Sequence, residues 1–83
     1  MQRHIAEAIV AAGAEWTRQM SLSLIAVQAK GTPQEFETYR EAVAPIIADL
    51  FHRVMLPALM VHPDLSPPTL RELVEWHRAR DGG

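Results

Sequence analysis

Lys30-Gly31-Thr32-Pro33-Gln34-Glu35 decides the fold, because each residue has its own reason to stand between two helices. Lys30 places a cation on the exposed carbonyls that end the first helix, and Gly31 tolerates the left-handed conformation that commonly closes one. Thr32 can accept a hydrogen bond from the free amides of the next helix. Pro33 loses nothing at the first helical position, and Glu35 reaches back to complete a capping box. A second punctuation, Leu65-Ser66-Pro67-Pro68-Thr69-Leu70, reads as the start of a third helix. Here Ser66 is the expected N-cap, Pro67 the first helical residue, and Leu65 and Leu70 the two halves of a hydrophobic staple. Val61-His62-Pro63-Asp64 is the intervening loop, since a residue before proline is biased out of the helical region.

Between these points, helix 1 (about residues 2–30) carries Ile5, Ile9, Ala12, Trp16, Met20 and Val27 in one stripe at helical spacing. Helix 2 (about 33–61) does the same with Phe36, Tyr39, Val43, Ile46, Ile47, Leu50, Val54 and Val61. Pro45 and Pro57 predict kinks near those positions. Helix 3 (about 67–79) packs Leu70, Leu73, Val74 and His77, with Trp76 to one side. Gly13, inside helix 1, is expected to admit a neighbouring helix closely. The reading is a single all-α domain over residues 1–83. Its two long helices form an antiparallel hairpin, the second kinked at proline, with a shorter third helix. The whole is a three-helix bundle or half of a dimeric four-helix bundle.

Composition narrows the function. Eighty-three residues give room for one modest core, which raises the expectation of an oligomer or a partner-bound subunit. The absence of cysteine excludes disulfides, thiolate metal sites and thiol nucleophiles. A net charge of −2 with no basic face argues against nucleic acid as partner. Ala42–Val61 has the length of a membrane span, but Asp49, His52 and Arg53 lie at its middle, so a membrane role is not expected. With no signal-peptide pattern at the N-terminus, the expected location is cytoplasmic. Seven Arg against one Lys, with 12 Ala, suit a GC-rich bacterial genome.

Two segments break the amphipathic pattern: Met20–Val27, where Leu22 and Ile25 point away from the stripe, and Val54–Val61, where Met55, Leu56, Leu59 and Met60 occupy the former polar face. Helix 3 can cover the second segment but not the first. Leu22, Ile25 and Ala29 are therefore the candidate interface, with Trp76 as an aromatic anchor, set against the plainer readings of scattered surface residues and a core-capping tryptophan.

Chemistry is sparse. Asp49 and His52 have the spacing of one half of a di-metal bundle motif, but the second copy is missing and a solvated ion pair explains them better. Tyr39 and His77 are the residues that could serve a haem or other cofactor, against the plainer readings of a core-edge tyrosine and a half-buried histidine. No nucleophile elbow or glycine-rich phosphate loop is present. No cofactor and no enzymatic activity are expected. The sequence reads as a helical protein–protein interaction module acting as a homodimer, an adaptor or an accessory subunit of a larger protein. The alternatives are a small haem- or metal-binding carrier and a regulator that masks a partner's site.

Overall fold

The computed structural model describes residues 1–82, with side chains through Arg80, and the described residues are all-α. Helix α1 runs Arg3–Lys30 and α2 Pro33–Asp49. A π-helical turn, Leu50–Met55, leads directly into α3, Leu56–Val61. Short 3-10 turns at Pro63–Leu65 and Pro68–Leu70 connect to α4, Arg71–Gly82.

The turn between α1 and α2 is built by its residues. The Thr32 amide donates to Glu35 Oε1 at 2.8 Å, and the Glu35 amide donates to Thr32 Oγ1 at 3.1 Å, closing the capping box. These bonds favour the charged carboxylate and hold the Glu35 pKa below its ordinary value, the Thr32 amide contributing most. Thr32→Ala should cost about 1 kcal/mol, measured by urea unfolding. Because the folded pKa is depressed, the carboxylate's contribution is complete above the ordinary Glu range and disappears as pH falls through the lowered value. The wild-type advantage over Glu35→Ala should therefore shrink in acid.

Gly31 departs from expectation. Its backbone is extended (φ −95°, ψ 173°) rather than left-handed. Glycine is needed there for a different reason: the Gly31 amide donates to the Val27 carbonyl at 2.7 Å, and a Cβ would sit 2.9 Å from that same oxygen. Ser66 also departs. Its buried hydroxyl donates back to the Pro63 carbonyl at 2.6 Å, so it closes the preceding turn instead of capping the helix after it.

α2 remains α-helical through Pro45, and the hydrogen-bond pattern changes only at Leu50–Met55, where the Leu56 amide reaches back five residues to the Phe51 carbonyl. Pro57 explains the change. In an α-helix its ring would press on the Arg53 carbonyl, and widening the turn ahead of it makes room. The extra residue in that turn rotates everything downstream by about 100° relative to a continuous α-helix. Met55, Ala58 and Leu59 consequently face inward, and this is how the second break in the apolar pattern is buried.

The core consists of Ala6 and Val10 of α1, Phe51 and Met55 of the π turn, Ala58 and Leu59 of α3, and Val74 of α4. Ile9, Leu56, Leu65 and Leu70 pack around it. α1 lies against α2, the π turn and α3, its N-terminal end beside the turn that follows α3 and its C-terminal half beside α2. Met1 meets His62, Arg3 pairs with Asp64, Gly13 meets Met55, and Ser23 meets Tyr39. Gly13 is a point of close approach: a Cβ there would collide with Met55 Cγ and lie 2.9 Å from its sulfur.

Candidate functional site

The large apolar side chains of α1 do not lie where the stripe places them. The buried positions are Ala6, Val10 and Gly13, while Ile5 is 46% and Trp16 51% exposed. At 100° per residue the buried line is rotated by about 80° from the line of large residues. The cause is steric: small side chains at 6 and 13 let the helices approach, and the bulky ones are left on the flank. Ile46, expected in the core, is likewise 46% exposed.

These exposed residues share one side of the molecule. Ser23 Oγ and Tyr39 Oη, 2.7 Å apart, mark where α1 and α2 meet on that side. Seven residues back along α1 is Trp16, and seven forward along α2 is Ile46. Seven residues are close to two full turns, so both stay on the same side and come within about a turn of each other in height. The Pro67–Leu70 segment lies on the opposite flank of α1, beside Ala14, Thr17 and Arg18, so it does not cover them.

Leu22, Ile25 and Ala29 project from the far side of α1, Leu22 46% and Ile25 62% exposed. Arg18 and Glu15 stand on that side, joined by two hydrogen bonds of 2.7 and 3.0 Å. The Arg18 bond, aided by Gln19, lowers the Glu15 pKa to about 2. Trp76 is exposed, with Arg80 stacked 4.7 Å over its ring and His77 against it at 4.9 Å between centroids.

His77 continues that aromatic row to His52, 5.6 Å away, and to Phe51. Helix spacing alone could not join His52 to His77; the docking of α4 does. His52 Nδ1 bonds the Ala48 carbonyl at 2.9 Å, and Asp49 pairs with Arg53 at 3.4 Å on the exposed surface. Tyr39 is not part of this group: it lies 13 residues before His52, roughly 20 Å along the helix. Among the described residues, no three His, Cys, Asp or Glu side chains gather to hold a metal. The depression beside Tyr39 is lined by Thr32, Gln34, Glu35, Thr38 and Ala42, and its carboxylate is already committed to the cap. The continuous helical stretch Pro33–Val61 is long and apolar enough to cross a membrane by length and composition. Asp49, His52 and Arg53 interrupt it.

No protein family matches the chain, and comparison with curated proteins and with solved structures likewise finds no match.

Proposed function

We propose that this chain is a non-enzymatic helical interaction module that works as a homodimer. Each copy contributes an antiparallel hairpin with a short C-terminal helix, and two copies form a four-helix bundle. The observation that carries this reading is surface. The chain exposes 5790 Å², whereas a folded monomer of 9.3 kDa exposes about 5,000 Å². The excess, about 800 Å², comes with large apolar side chains left in solvent, among them Trp16, Leu22, Ile25, Ile46 and Trp76. Its radius of gyration, 14.9 Å, also exceeds the roughly 12 Å of a compact chain this long.

An adaptor or accessory role within a larger complex, or masking of a partner's site, would use the same uncovered surface. We take the apolar character of Pro33–Val61 as that of a core helix in a cytoplasmic protein, because Val43, Phe51, Met55, Ala58 and Leu59 are buried within the fold and Asp49, His52 and Arg53 interrupt the stretch. Light scattering across a dilution series is expected to give twice the chain mass at high concentration. A monomer throughout would exclude the homodimer.

A further inference from the structure

We infer that His52 of the π turn and His77 of α4 form a two-histidine site for a divalent first-row metal ion, zinc by its geometry, which ties α4 to the helix it docks on. The site lies within one copy of the chain and does not depend on the homodimer reading. The two ring centres are 5.6 Å apart and the ring planes stand at 83°. Zinc binds an imidazole nitrogen at about 2.0–2.1 Å, which puts the ion about 3.2 Å from the ring centre. Two imidazoles on neighbouring corners of a tetrahedral ion then have centres about 5.2 Å apart, close to the spacing found. Neighbours at a right angle, as in square-planar or octahedral sites, would stand only about 4.5 Å apart.

The hydrogen bonding of His52 suits the same role. Its Nδ1 lies 2.9 Å from the Ala48 carbonyl, and since a carbonyl only accepts, the neutral ring carries its proton there and keeps the lone pair on Nε2. Metal-binding histidines are commonly oriented in this way, by a bond from the second ring nitrogen to a backbone carbonyl. His77 is held by rings instead: Trp76 meets it edge to face at 4.9 Å, and the buried Phe51 lies 6.1 Å away. His52 is exposed and His77 half-buried, so water completes the coordination shell. The surrounding charges permit a cation. Asp49, one turn before His52, brings a carboxylate that Arg53 holds at 3.4 Å, and the Arg80 guanidinium is taken up over the Trp76 ring. With two protein ligands the ion is exchangeable, unlike the four-ligand ion of a structural site.

The test is thermal unfolding of the untagged chain at one protein concentration, with zinc or magnesium added. Zinc at about ten times its dissociation constant should raise Tm by roughly 5–10 °C, and magnesium, which prefers oxygen ligands, should leave it unchanged. His52→Gln and His77→Gln should each abolish the rise, whereas His4→Gln combined with His62→Gln should keep it. If either ligand variant fails to fold, NMR of the wild type decides: zinc should move the imidazole signals of His52 and His77 and leave those of His4 and His62 in place. No rise with zinc up to about 1 mM overturns the inference, because binding weaker than that holds nothing together. A rise that survives His52→Gln or His77→Gln, or one that magnesium reproduces, places the ion elsewhere and overturns it equally.

Discussion

Leu59→Ala is expected to destabilise the fold by about 2–5 kcal/mol, the cost of a cavity at a fully buried leucine. Leu59 has no exposed surface and is one of seven residues in the core cluster. It lies on α3 among residues from α1, the π turn and α4, so its loss is felt by every element at that end of the molecule. A chain of this length is stable by only roughly 4–12 kcal/mol. The substitution therefore removes a large share of the total, and a core this small has few neighbours able to collapse into the void. Urea unfolding followed by circular dichroism measures the change, with Leu73→Ala as reference. Leu73 is 40% exposed and should cost much less. All variants must be compared at one protein concentration, because an associating chain gains apparent stability with concentration. A Leu59→Ala protein within about 1 kcal/mol of wild type would contradict the core described above.

Local chemistry was the legible part of this sequence. The Thr32–Glu35 capping box follows from four residues in a row, and its two hydrogen bonds are present. The role of Gly13 followed from a glycine inside an otherwise good helix, and it lies against Met55. What periodicity could not give was the direction of burial. Ranking side chains by hydrophobicity places Ile5, Trp16 and Ile46 in the core, but α1 approaches its neighbours along the line where its own side chains are small, Ala6 and Gly13. Packing distance outranked apolarity, and the stripe of large residues was displaced to the flank. The register of α3 was hidden for a second reason. A π turn looks like ordinary helix in sequence, so a phase count carried through Leu50–Met55 at 100° per residue turns Met55 and Leu59 outward. Pro57 was the available signal, read as a kink rather than as a change in turn width. The His52–His77 approach was invisible for a third reason, since it depends on where α4 docks. For Leu22, Ile25, Ala29 and Trp76 the sequence identifies apolar residues outside the core stripe, and all four are exposed.

Deletion of Arg53 is expected to be tolerated, whereas deletion of Ala11 is expected to abolish folding. Both residues are exposed and sit inside helices, so ordinary burial arguments do not separate them. The difference is phase. Removing one residue from an α-helix turns everything beyond it by about 100° and draws it back by 1.5 Å. In α1 there is no slack to absorb this. Without Ala11, Ala6 and Val10 can no longer face the core while Gly13 faces Met55, and the close fit of Met55 against Gly13 is lost. In Leu50–Met55 the slack already exists, because the π turn holds one residue more than an α turn needs. Taking out Arg53 lets it close to α-helical geometry while Phe51, Met55, Ala58 and Leu59 keep their inward direction. The lost Arg53–Asp49 pair is solvent-exposed at both ends and contributes little. The opposing cost is steric, since the Pro57 ring then faces a carbonyl at α-helical distance, and it sets how far the deletion falls short of neutral. Helical signal and urea midpoint near wild type for the Arg53 deletion, with loss of cooperative unfolding for the Ala11 deletion, is the expected pair of results. Equal damage from both would mean that the core does not depend on the extra residue in the π turn.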